Sequence, residues 1–316
     1  MKKILLQTLL LTQILPLYSQ ELELQSMQFR TENDGDFGTD RAYTYGSDIS
    51  VLYHKKQNQQ FSNAQEYISF SYAQKIYTPN NIEAKTLLQN DRPYAGYMYV
   101  QMGLYTSYKN ELDSFIFQLG MVGPSTKMED VQKFVHSLIG SPQPKGWDNQ
   151  LKDEPTFQVN YNHKKYIDIS QYFKKEAALI PSYGFDLGNA STKLYSGCLF
   201  RYGTHLPKDY GSYVINNGDY NHIPRKDTLQ SIKKWRISFN LSLRVNAIAR
   251  DIFLDGNTFK DSHSVEKNNF TVQGGYGLSL RYGHYSFDYL REHTTKEFKG
   301  QDYYSSYGSF IFAYNY

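Results

Sequence analysis

From Trp235 to Asn246 apolar and polar side chains alternate without a break for twelve residues. Trp235, Ile237, Phe239, Leu241, Leu243 and Val245 fall on one face, and Arg236, Ser238, Asn240, Ser242, Arg244 and Asn246 on the other. A helix would scatter these residues around its whole circumference, so period two predicts a strand. The same rhythm recurs in weaker form. Tyr43, Tyr45, Ile49, Val51 and Tyr53 oppose Thr44, Gly46, Asp48 and Ser50, and Ile68, Phe70 and Tyr72 oppose Ser69, Ser71 and Ala73. Met98 to Leu104, Phe115 to Met121, Phe157 to Tyr161, Tyr183 to Leu187, Leu194 to Tyr202, Val272 to Leu280 and Tyr285 to Tyr289 continue the series. The chain closes on Phe310, Phe312, Tyr314 and Tyr316, an aromatic at every second position up to the last residue.

One stretch breaks the period. Met128 to Ile139 carries Val131, Val135 and Leu138 at offsets of four and seven, which is helical spacing, and Gly140 offers a stop. Pro142, Pro144 and Gly146 then mark irregular chain before strand rhythm resumes, so the helix lies in an excursion between two strands.

The ends of the chain say where such strands belong. Lys2 and Lys3 precede an apolar stretch from Ile4 to Leu17, and Tyr18-Ser19-Gln20 could precede a cut. Residues 1–20 are therefore expected to be a signal peptide. The competing membrane anchor is opposed by the stretch's shortness and by Gln7, Gln13 and Pro16. A leader followed by alternating strands and a closing aromatic strand predicts a transmembrane antiparallel β-barrel over residues 21–316. The even strand numbers usual for such barrels favour twelve. The helix would lie in an extracellular loop, because long loops gather on the outer side.

Composition agrees and removes other classes. Hydrophobic residues are 40% and charged residues 21%, with no set of long apolar runs for a helical bundle. Aromatic content is 16%, including 30 Tyr, which suits strands and membrane interfaces. The net charge of +3 becomes +1 once Lys2 and Lys3 leave, so nucleic acid is not an expected partner. Cys198 is alone, which excludes an internal disulfide and any cysteine-based metal site.

Candidate chemistry is sparse. Gln132 and His136, four apart, share a helix face. A lone loop histidine is more often a surface residue than a catalyst. Thr31-Glu32-Asn33-Asp34-Gly35-Asp36 ends the first strand, and Thr44 lies on the next, which pairs with it. Asp34, Asp36 and Asp40 suggest a calcium loop or an acidic surface turn; the terminal Glu of an EF-hand is absent. Gly-x-Ser-x-Gly and His-Glu-x-x-His are both missing. Arg236 and Arg244 read as an internal lining, and Asp91 and Arg92 as a structural turn pair.

Several stretches in order resemble the lipid A 3′-O-deacylase (LpxR) family of outer-membrane enzymes. They are Glu32-Asn33-Asp34, Asp40-Arg41-Ala42-Tyr43-Thr44-Tyr45-Gly46, Asp91-Arg92-Pro93-Tyr94-Ala95-Gly96 and Gly120-Met121-Val122-Gly123-Pro124. Val131 to Gly140 and Gly146-Trp147-Asp148-Asn149-Gln150 complete the set. The resemblance implies a twelve-stranded barrel whose site lies between its outer wall and a loop helix. It also implies calcium-dependent hydrolysis of the ester carrying the 3′ acyloxyacyl group of lipid A in the outer leaflet. His136 would be the general base, Asp34 would orient the imidazole or bind calcium, and Asn33 would help to hold the metal or the oxyanion. Thr44 and Gln132 would support the site through hydrogen bonds. The chain departs from the family pattern just after the helix, at Pro142 and Pro144. The protein is expected to act as a monomer in the bacterial outer membrane. The alternative is a non-catalytic barrel: a porin, an adhesin or an assembly factor.

Overall fold

The computed structural model describes residues 22–35, 40–56, 64–215, 218–225 and 234–316. The expected leader and Asp36 lie outside these residues. In chain order the strands are β1 (Leu22–Asn33), β2 (Ala42–Lys55), β3 (Ala64–Thr78), β4 (Ala95–Tyr108), β5 (Glu111–Val122), β6 (Glu154–Lys165) and β7 (Ile167–Asp168). They continue with β8 (Glu176–Gly188), β9 (Ser191–Thr204), β10 (Arg236–Asp251), β11 (Phe270–Tyr282), β12 (Tyr285–Thr294) and β13 (Ser305–Asn315). Apart from the two-residue β7 these are twelve long staves, each antiparallel to its neighbours. β1 pairs with β13 and β6 pairs with β8, so the sheet closes and no long edge is left. Closure satisfies the backbone groups strand to strand, which is what a sheet needs in lipid.

The outward face is the apolar one. On β10 the predicted row holds, with Leu241 51% and Leu243 57% exposed while Ser238 and Asn240 are buried inside. The closing strand repeats this with Phe310, Phe312 and Tyr314 pointing out. In water so much exposed apolar surface would be untenable; against acyl chains it is the stable arrangement.

The lumen is filled. Described residues of the β9–β10 connection, 205–215 and 218–225, fold back into the barrel, and Tyr213, Val214, Ile215, Tyr220 and Asn221 are buried there. Arg30 binds Asp48 at 3.0 Å and donates to the carbonyls of Tyr213 and Asp219. Glu32 accepts from the Ile215 amide at 2.6 Å, and Lys164 pairs with Asp219 at 2.6 Å. Arg244 stacks over Tyr195 at 4.3 Å, the lining role expected of it. Arg92 reaches Glu297 at 2.9 Å, while Asp91 accepts from the amides of Asn80 and Arg92, so that pair is structural.

One strand departs from simple alternation. The β2–β3 register shifts between Tyr43 and Tyr45, leaving Thr44 as the extra residue of a bulge. The shift reverses the facing of Tyr43, which the uninterrupted period placed with Tyr45 on the outer row. Tyr43 is buried, and its hydroxyl donates to Glu32 at 2.7 Å.

Candidate active site

The helix, α1 (Met128–Ile139), spans the residues its periodicity predicts. It follows a 3-10 turn at Pro124–Thr126, which Asp153 pins by accepting from the Ser125 amide and hydroxyl at 2.7 and 2.8 Å. Gly140 ends it at φ 74°, a left-handed cap that suits glycine. The helix lies at the rim opposite the chain termini (the outer rim), against the outside of β3 and β4. Its seat is Met128, packed with Ile76, Ile82, Tyr94 and Trp147, with Val131 alongside. Gly96 on β4 permits this approach: a Cβ there would stand 2.3 Å from Thr126 Oγ1 and 2.7 Å from Met128 Cβ.

The docked face differs from the one the apolar spacing suggests. Met128, Gln132 and His136 are the buried helix residues, whereas Leu138 is 74% exposed. Burial of two polar side chains beneath a helix is costly unless they are held by partners. His136 Nδ1 lies 2.6 Å from the carbonyl oxygen of Pro142. A carbonyl only accepts, so Nδ1 carries the hydrogen and, in the neutral ring, Nε2 carries the lone pair. Nε2 stands 3.4 Å from Asp40 Oδ1. Burial pushes the Asp40 carboxyl above the ordinary aspartate range, and the facing His136 pulls it part of the way back.

Gln132, one turn earlier, accepts the Trp147 indole hydrogen at 2.9 Å. Its Nε2 is buried and has no hydrogen-bond partner among the described residues. Tyr94 supports both segments: its ring lies 4.9 Å from that of Trp147, its carbonyl accepts from the Leu151 amide, and its hydroxyl donates to the Ile82 carbonyl.

The remaining candidates sit around the β1–β2 loop. Asp34 is buried; its amide donates to the Thr44 carbonyl at 3.2 Å, and its Oδ2 accepts from the Arg41 amide at 2.8 Å. That carboxylate thus fixes the loop next to Asp40, while the carboxylate at the imidazole is Asp40 itself. Thr44, at the bulge, shares a 2.6 Å hydrogen bond with Thr78. Asn33 is exposed at the strand end and accepts from the Gly35 amide. His136, Gln132 and the acidic loop therefore share one site on the outer wall.

Asp40 was legible as an acidic loop residue but not as the partner of the imidazole. Trp147 stood inside a matching motif without an assigned role. The Pro142 carbonyl had no signal at all, since a backbone acceptor carries no residue preference.

Asn33, Asp34, Asp40 and Thr44 carry oxygen donors of the kind hard cations take, and they lie along the β1–β2 connection and its flanking strand ends. Among the described residues no group of three or more His, Cys, Asp or Glu gathers, so backbone carbonyls and water would have to complete such a shell.

Comparison with known proteins identifies the fold and the family. LpxR from Salmonella typhimurium superposes with a TM-score of 0.75 at 16% identity, covering 92% of this chain and 100% of that one. The translocator domain of the autotransporter NalP from Neisseria meningitidis matches with a TM-score of 0.47 at 9% identity, over 100% of this chain and 95% of the other. The first likeness supports the fold; the second carries no further weight. No curated protein sequence matches the chain. A family model described as "Outer membrane protein LpxR" matches residues 4–316, and with that extent the chain belongs to the LpxR family of outer-membrane proteins.

Proposed function

We propose that this protein is a lipid A deacylase of the outer leaflet, hydrolysing the ester that carries the 3′-linked acyloxyacyl chain, with His136 as general base. The observation that carries this reading is the place of His136. The imidazole is buried under α1 on the lipid-facing side of the wall, with Nδ1 anchored to Pro142 and Nε2 turned to Asp40. A substrate with long acyl chains reaches such a site sideways from the membrane. The filled lumen argues against a porin.

In the neutral ring, Nε2 and the Asp40 carboxylate are two acceptors facing each other. A water donating one hydrogen to each satisfies both and is thereby held and oriented beside the base. Its oxygen attacks the ester carbonyl carbon while its proton passes to Nε2, a role for which imidazole is suited. The Asp40 carboxylate stabilises the imidazolium so formed. The Gln132 Nε2 hydrogens are available to the carbonyl oxygen as negative charge develops there. Collapse of the tetrahedral adduct breaks the bond to the sugar oxygen, which takes the proton back from Nε2. The products are a free acyloxyacyl acid and a 3′-hydroxyl. Asp34, Asn33 and Asp40 are the residues that would hold calcium, with Thr44 supporting their loop. Bound calcium would supply positive charge for the oxyanion. We expect the protein to work as a monomer.

The test is incubation of the folded barrel with lipid A and calcium, followed by mass spectrometry of the lipid. Loss of the mass of one acyloxyacyl group is the expected result, and His136→Ala should abolish it while the barrel keeps its heat-modifiable migration. An unchanged lipid spectrum across lipid A types would end the deacylase reading.

A further inference from the structure

We propose that α1 is an interfacial helix whose Phe134–Leu138 flank is seated in the acyl region of the outer leaflet. The helix has three faces, and they are distributed opposite to those of a soluble protein. Its docked face carries Gln132 and His136, both buried. Its most exposed large side chains are apolar: Phe134 at 68%, Leu138 at 74% and Ile139 at 65%. Phe134 and Leu138 lie one turn apart, beside the half-buried Val131 and Val135. Glu129, Lys133 and Ser137 make a separate polar flank, where Lys133 and Glu129 form an exposed ion pair. A helix with one flank apolar, one polar and a third held by protein lies along a boundary between oil and water.

The occupant of the apolar flank follows from what continues beneath it. The helix sits over Gly96 and Ile76, at the rim ends of β4 and β3. Along the same strands the outward row runs past the half-buried pair Met98 and Gln74 to Val100, 54% exposed, and its paired neighbour Tyr72, 42% exposed. Val100 lies four residue steps along the strand from Gly96, about 13 Å. On the neighbouring pair, Leu119 and Phe157 face each other across β5 and β6 and are 56% and 63% exposed. The apolar surface of the barrel thus rises to within a few residues of the helix seat, and acyl chains are the partner that covers both it and the helix flank. Seating the flank there places the mouth of the His136 site at the depth of the acyl carbonyls instead of above the headgroups.

The placement rests on the outer-membrane barrel alone, whereas its effect on turnover rests on the proposed hydrolysis. Nitroxide labels are placed singly at 133, 134, 137 and 138 in a Cys198→Ser background. The protein is then reconstituted in phosphatidylethanolamine vesicles containing lipopolysaccharide. Labels at 134 and 138 are expected to be accessible to oxygen and shielded from a water-soluble nickel chelate, with the reverse at 133 and 137. Equal nickel access at all four positions would overturn the proposal. In a second measurement, Phe134→Ser/Leu138→Ser should lose about tenfold in hydrolysis of vesicle-embedded lipid A while changing less than about twofold in detergent micelles; equal losses in both would also overturn it. If the unmodified protein hydrolyses nothing, the deacylase reading falls and the label pattern still decides the seating of the helix.

Discussion

The indole of Trp147 holds the side-chain oxygen of Gln132 at 2.9 Å, and this single bond fixes which end of the amide faces the site. An indole nitrogen only donates, so the oxygen must turn toward it and the amide nitrogen must turn away. That nitrogen is buried without an acceptor among the described residues, a state that costs about 1–3 kcal/mol unless something completes it. A developing oxyanion is such an acceptor.

Trp147→Phe keeps the ring against Tyr94 and removes the N–H. The amide is then free to flip, and kcat should fall by about tenfold or more with KM little changed, toward the about 10²-fold loss typical when one oxyanion donor is removed. Steady-state kinetics on dispersed lipid A checks the split. An unchanged kcat would show that Gln132 is not positioned by this bond.

The Asp40 carboxyl is held above its ordinary range by burial, so the folded loop binds its proton more tightly than the unfolded chain does. The sign follows: ionised Asp40 weighs against docking, and loop stability falls as pH rises from about 4 through the raised pKa. Asp40→Asn should flatten that slope. Hydrogen exchange across residues 128–142, corrected for intrinsic rates, measures it. The same variant should lose about tenfold in kcat, because the imidazolium loses its facing charge; full activity would remove Asp40 from the mechanism.

Chelation of calcium should stop turnover reversibly while the barrel stays folded. Asp34→Asn should raise the calcium concentration needed for half-activity by about tenfold or more, since one charge leaves an all-oxygen set. A chelator-treated enzyme with undiminished activity would dismiss the metal.

At Gly96 any β-branched side chain collides with Thr126 and Met128. Gly96→Val should therefore displace α1 and cost at least about 10²-fold in activity, with the closed barrel and its strand content unchanged by circular dichroism. Retained activity would mean that the helix seat does not position His136.

Much of this protein is written in local periods. Strand alternation along β10 and β13, and the helical span Met128–Ile139 with its Gly140 stop, required only near neighbours in the chain, and they stand where the pattern put them. His136 and Gln132 were visible for the same reason, as two polar residues one turn apart on a helix. What escaped were the places where order comes from distant chain. Tyr43 turns inward because a bulge at Thr44 adds one residue to one strand, which a period cannot announce. Residues 205–215 and 218–225 have no rhythm, yet Arg30, Glu32 and Lys164 from the staves hold them as the filling of the lumen.

The sequence by itself determined a closed sheet with an apolar exterior and one helix outside it, because side-chain period and backbone geometry are local properties. Only the tertiary structure decided which helix face docks, that the Pro142 carbonyl holds the imidazole with Asp40 facing it, and that Trp147 sets the Gln132 amide. The Asp40 contact joins loops far apart in the chain, and the Pro142 contact, only six residues from His136, runs through a backbone carbonyl, which leaves no signature in residue type.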